Sequence, residues 1–96
     1  DDTVSNLRAI VRAAKANQTI PVVGTLTPAY RTHSYMQGNI PEWNSRIRVM
    51  ASEENISVAR LDAAFGSDDS LLQPDGLHPT AQGSGVIAST FASRID

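Results

Sequence analysis

Apolar residues recur at Val4, Leu7, Val11 and Ala14, with Ile10 beside them. That spacing of three and four places them on one stripe of a helix. Asp2 or Thr3 caps its start, where acidic residues are also favoured, and Asn17 stops it. Ile20-Pro21-Val22-Val23-Gly24-Thr25-Leu26 then forms a continuous apolar run bounded by Pro28. Such a run suits a central parallel strand covered on both faces, with Pro21 at its beginning because proline donates no ladder hydrogen bond. Residues 27–40 follow neither period and read as a long loop of the kind that often carries function. Pro41 suits the first turn of a second helix, with Trp43, Ile47, Met50 and Ala51 on its apolar stripe. Glu42 and Arg46 lie four apart on its exposed side, and Asn55 ends it. Residues 56–62 predict a second strand, less apolar than the first and therefore nearer an edge. Residues 63–79 read mostly as loop. Thr80 opens a last helix with Val86, Ile87, Phe91 and Ile95 inward, while Gly83 and Gly85 permit close backbone approach.

The order helix, strand, helix, strand, helix predicts an α/β layer structure with parallel strands. Ninety-six residues without an internal linker or repeat predict a single domain over 1–96. Charge narrows the partners: eight Lys and Arg against ten Asp and Glu, with no basic cluster, leave no footprint for nucleic acid or an anionic membrane. No apolar run approaches the roughly 18–20 residues of a membrane span. The start, Asp1-Asp2-Thr3, has no signal-peptide character, so a cytoplasmic chain and a processed secreted one would both read this way. The lack of cysteine excludes disulfides, thiolate metal sites and cysteine nucleophiles.

The chemistry concentrates in Gln73-Pro74-Asp75-Gly76-Leu77-His78-Pro79-Thr80, between the second strand and the last helix. Sites in open α/β sheets gather at the carboxyl ends of strands. His78 suits a general base near neutral pH, and Asp75, three residues earlier, can reach its ring. A carboxylate on one imidazole nitrogen fixes the tautomer and leaves the other nitrogen free to take a proton. The plainer alternative is a turn in which Asp75 accepts local hydrogen bonds and His78 merely precedes a helix.

Asp75-Gly76-Leu77-His78-Pro79-Thr80, followed by Ala81-Gln82-Gly83, resembles the closing block of the SGNH (GDSL-type) hydrolases. Pro21-Val22-Val23-Gly24-Thr25-Leu26-Thr27-Pro28, Asn44 with Ile47-Arg48, and Val58-Ala59-Arg60-Leu61-Asp62 are similar to that family's carboxy-terminal half. The resemblance implies part of a flavodoxin-like three-layer α/β/α sandwich and an acyl-ester substrate. It implies His78 as catalytic base, Asp75 as its orienting acid, and no metal or organic cofactor. The family's serine nucleophile, in a Gly-Asp-Ser segment, and its Gly-x-Asn-Asp segment belong upstream of these residues. Asp69-Ser70-Leu71 imitates the nucleophile block, but Asp68 stands where glycine belongs and His78 follows too closely, so Ser70 reads as a polar loop serine. Gly38-Asn39 lacks the other segment's spacing and reads as a turn. The chain therefore reads as the second half of an enzyme, whose partner is the missing amino-terminal half or another copy of itself. The rival reading is a non-catalytic α/β interaction module.

Other residues suggest less. His33, with Tyr30, Arg31 and Tyr35, sits in the loop after the first strand, where the resemblance implies the border of a substrate cleft. His33, Asp75 and His78 have the composition of a metal set but no local metal spacing. Arg8, Arg12 and Lys15 read as solvated charge on the first helix.

Overall fold

The computed structural model describes residues 2–95. Helix α1 spans Asp2–Ala16, strand β1 Val22–Gly24, helix α2 Ile40–Glu53 and strand β2 Ser57–Ala59. A short helix α3 (Leu61–Phe65) and the final helix α4 (Ala81–Ala92) follow, and 3-10 helices cover Arg31–Met36 and Asp69–Leu71. The two strands are parallel, with Val22 opposite Ser57, Val23 opposite Val58 and Gly24 opposite Ala59. Helices pack in pairs, α1 with α2 and α3 with α4, around this sheet. The result is the α/β architecture with parallel strands and flanking helices that the alternation of elements predicts.

The strands are shorter than the apolar runs that announced them, and the reason lies in the side chains at their ends. Asn44, fully buried on α2, accepts the Leu26 N–H at 2.6 Å and donates to the Leu26 carbonyl at 3.1 Å. The amide thereby takes the place of a neighbouring strand just beyond β1. Asn44 also shifts the buried stripe of α2 to Ile40, Asn44, Ile47, Met50 and Ala51, leaving Trp43 only half-buried. At the other end, Ile20 is 89% exposed and makes no part of the ladder. Strand β2 stops where Leu61 begins α3, which the sequence reading assigned first to strand and then to loop. Leu61 and Phe65, four apart, are the buried face of this helix.

Further corrections concern the surface. Ile10 stands 65% exposed, off the α1 stripe, whose buried member is Val11. Ile95 lies past the end of α4 and is exposed, and an added Cβ at Gly85 would meet open space rather than a neighbour. Arg8, Arg12 and Lys15 are not free. Arg8 bonds Glu53 at 2.6 Å and Glu54 at 2.7 Å, Arg12 bonds Glu54 at 3.0 Å, and Lys15 donates to the Glu54 carbonyl. Hydrogen bonds from Arg12 and then Arg8 hold the Glu54 carboxyl below its usual range. These contacts clamp α1 onto the end of α2.

The core that matters for the site is formed by Phe65, Leu71 and Leu72, against which Tyr30, Val86 and Ile87 pack. Leu71 and Leu72 precede the Asp75–His78 segment, separated from it by Gln73 and Pro74, so the turn leaves from buried anchors. Thr80 closes it from the other side. Its hydroxyl donates to the Leu71 carbonyl at 3.1 Å and accepts the Gly83 N–H at 3.0 Å, capping α4. Gly83 is needed there because an added Cβ would fall 2.1 Å from the Leu71 carbonyl oxygen.

Candidate active site

Residues 72–79 form a closed turn. Leu72 and Pro79 face each other in an antiparallel bridge, the Gln73 N–H donates to the His78 carbonyl at 2.7 Å, and the Thr80 N–H to the Leu71 carbonyl at 2.9 Å. Within it the Gly76 N–H donates back to the Gln73 carbonyl at 2.8 Å. Gly76 has φ +72°, in the left-handed region, and an added Cβ would lie 1.8 Å from the Tyr30 carbonyl oxygen. Both the turn and its close approach to residue 30 therefore require glycine.

Asp75 is the hub of this turn. Its Oδ1 accepts the backbone N–H groups of Leu77 at 2.9 Å and His78 at 3.1 Å. Its Oδ2 lies 2.5 Å from Nδ1 of His78. The His78 ring, followed by the Leu77 and His78 amides, pulls the Asp75 carboxyl well below its usual range, so Asp75 is an ionised acceptor. An ionised carboxylate has no proton to give, so His78 Nδ1 donates and Nε2 of the neutral ring keeps its lone pair. The pair can accept a proton at Nε2 and stabilise the imidazolium that results. The imidazole side chain is 65% exposed in this chain.

A second segment grips the turn from outside. Arg31–Met36, expected as loop, is a 3-10 helix whose side chains reach back to residues 69–75. Arg31 donates through Nε to the Pro74 carbonyl at 3.1 Å and through Nη1 to the Asp69 carboxylate at 2.9 Å. Its Nη2 faces the carbonyls of Asp69, Leu72 and Gln73 at 3.2, 3.2 and 3.1 Å. Thr32 Oγ1 donates to the Asp75 carbonyl at 2.9 Å, and His33 Nδ1 to the same oxygen at 2.8 Å. The Tyr30 N–H reaches the Gly76 carbonyl at 2.8 Å. Arg31 itself has φ 53°, a left-handed conformation that costs a non-glycine residue roughly 1–2 kcal/mol.

The structure thus brings Asp75 and His78 together and places His33 against the turn's backbone. Ser70 is turned elsewhere: its hydroxyl donates to Asp68 Oδ1 at 2.5 Å, and its N–H reaches the same atom at 3.1 Å. Among the described residues no group of three His, Cys, Asp or Glu side chains is placed to hold a metal, and His33 meets the Asp75 carbonyl rather than its carboxylate. Sequence reasoning missed the grip of Arg31 and Thr32. It also missed a polar cluster after the strands, in which Thr25 Oγ1 donates to Asp62 Oδ1 at 2.7 Å and accepts the Asp62 N–H at 3.0 Å. Burial alone would raise the Asp62 carboxyl, but hydrogen bonds from Arg60, Thr25 and the Ala63 amide prevail and hold it at about 2. A carboxylate at the close of a predicted strand was the one available signal for that cluster.

Residues 1–86 match the GDSL-like lipase/acylhydrolase family. No curated protein matches the sequence. Among solved structures, a GDSL-like lipase from Bacteroides thetaiotaomicron is similar at TM-score 0.81 and 21% identity, over 97% of this chain and 50% of that one. The esterase domain of an ORF1 protein from a zebrafish retrotransposon is similar at TM-score 0.80 and 20% identity, over 93% and 54% respectively. A mutant acetyl-xylooligosaccharide esterase from Geobacillus is similar at TM-score 0.77 and 21% identity, over 96% and 45%. The chain spans about half the length of these structures.

Proposed function

This chain belongs to the GDSL-like lipase/acylhydrolase family, and we propose that it is the carboxy-terminal portion of an ester hydrolase that works through a Ser-His-Asp triad. In this reading His78 is the base, Asp75 its orienting acid, and the serine and oxyanion donors come from sequence upstream of Asp1. The partner is then that upstream half or, where it is absent, another copy of this chain, and the substrate is an acyl ester. The reading is carried by the short Asp75–His78 contact, in which Asp75 is ionised and Nε2 is left open.

The chemistry follows from that pair. The serine oxygen attacks the ester carbonyl carbon while its proton passes to His78 Nε2. The carbonyl π electrons move onto oxygen, giving a tetrahedral oxyanion. Collapse breaks the bond to the alcohol oxygen, which leaves with the proton held on Nε2, and an acyl-serine remains. Water repeats the sequence: its proton goes to Nε2, its oxygen joins the acyl carbon, and the proton returns to the departing serine. Asp75 remains ionised throughout and stabilises the imidazolium.

The test is to supply the upstream half from the same reading frame and follow p-nitrophenyl acetate hydrolysis. His78→Ala is expected to lower kcat by about 10⁴-fold or more, and Asp75→Ala by less. The 96-residue chain by itself is expected to show only imidazole-like background, because oxyanion donors alone contribute roughly 10²–10³ in rate. Activity that survives His78→Ala overturns the assignment of the base. Saturable hydrolysis by the chain alone that vanishes in Ser70→Ala overturns the placement of the nucleophile.

A further inference from the structure

We propose that Arg31 is the positioning residue that sets the Asp75–His78 pair, an inference that rests on reading His78 as the base. The resemblance implies a place for Arg31 at the border of a substrate cleft, yet its guanidinium is committed to the protein. The carbonyls of Leu72, Gln73 and Pro74, three successive peptides, converge on it together with the carboxylate and carbonyl of Asp69. Carbonyl dipoles aimed at one point repel each other unless a cation sits there. A planar fork of five N–H donors can serve several such acceptors at once, which the point charge of lysine cannot.

The consequence reaches the catalytic pair through one residue. Pro74, held by Arg31 Nε, is the residue before Asp75. The Asp75 carbonyl is in turn held by Thr32 and His33, the two residues after Arg31. Both peptide planes that flank the Asp75 Cα are therefore oriented from the 31–33 segment. With those planes set, the Asp75 carboxylate is aimed where Oδ1 meets the Leu77 and His78 amides and Oδ2 meets the ring. The backbone of Arg31 supports the same conclusion. Its φ of 53° favours glycine, so an arginine there carries a backbone cost that its side-chain bonds offset.

That conformation also supplies an experiment, because Arg31→Gly keeps the backbone path and removes the side chain with its guanidinium. Nitrogen-15 shifts of the His78 imidazole, recorded on this chain, report how fully Nδ1 carries the proton, with Asp75→Asn as the reference for an unoriented ring. Arg31→Gly is expected to move these shifts toward the Asp75→Asn values. In the domain completed with its upstream half, it is expected to lower kcat by about 10²-fold with KM within about twofold, the signature of a misplaced catalytic group. Arg31→Lys is expected to recover only part of the loss, and Asp69→Asn, which spares the carbonyl contacts, to leave kcat near wild type. Unchanged His78 shifts and unchanged kcat in Arg31→Gly overturn the proposal, as does a kcat loss that merely follows a smaller folded fraction. Should Arg31→Gly unfold, Arg31→Lys decides by the same two readouts. Activity that survives His78→Ala removes the base reading instead, and the nitrogen shifts still judge whether Arg31 orients the ring.

Discussion

The 72–79 turn and the neighbourhood of β1 are built on opposite terms. In the turn, Asp75 accepts from two backbone amides and the His78 ring, and the surrounding carbonyls accept from Arg31, Thr32 and His33. Its base leaves from Leu71 and Leu72, both buried. Beside β1, by contrast, Ile20 is 89% and Ile95 66% exposed, and with Val22, Phe91 and Arg94 they line an open groove. Among the described residues β1 pairs with β2 alone. The turn is short in sequence and closes on itself, so its geometry depends on contacts this chain contains. A sheet edge needs a partner strand, and hydrogen bonds within one segment cannot supply it.

The largest expected effect is at the core beneath the turn. Phe65→Ala is expected to cost about 3–5 kcal/mol of unfolding free energy by urea denaturation, because Phe65 is almost fully buried. A loss below about 1 kcal/mol would break the comparison by showing that the turn does not stand on this core. Gly76→Ala comes next, at about 2–4 kcal/mol, since it combines an unfavourable φ with a collision against the Tyr30 carbonyl. Gly38→Ala, with open space around the added methyl, is its control and should stay within about 0.5 kcal/mol.

Acid sharpens the contrast further. The Asp62 carboxyl is held at about 2 in the folded chain, against an ordinary 3.8, so the unfolded chain binds its proton more readily. The stability it contributes is complete above about pH 4 and is lost as pH falls through about 2. Asp62→Asn should therefore flatten the loss of stability between those values, as read by urea titration at stepped pH, and an unchanged slope would contradict the assignment. The smallest effect belongs to the exposed edge. Ile20→Lys should change the unfolding free energy by no more than about 0.5 kcal/mol while weakening self-association in sedimentation. A monomeric wild type, with no change on substitution, would show that the groove recruits no second copy.

Helical elements were readable because a stripe at spacing three and four survives any tertiary arrangement. Val11, Ile47 and Met50 are buried as their stripes require. The short helix α3 was missed because five residues carry barely more than one turn of pattern, though Leu61 and Phe65 bore it. Apolar runs overstated the strands, since ladder length depends on the partner and on Asn44, a polar residue at a buried helical position. Charges on α1 looked solvated because Glu53 and Glu54, their partners, are about 40 residues away in the chain.

The candidate site divides along the same line. Asp75 and His78, three apart with Gly76 between them, were legible because a turn that short brings its own side chains together. The role of Arg31 was not, since its acceptors are backbone carbonyls roughly 40 residues distant, and a carbonyl leaves no mark on sequence. Periodicity and local spacing thus determined the three long helices, the α/β order and the aspartate–histidine pair, all legible from residues a few positions apart. Only the tertiary structure decided how long the strands run, which charges are paired and what holds the turn in place, because those depend on groups that meet through folding alone.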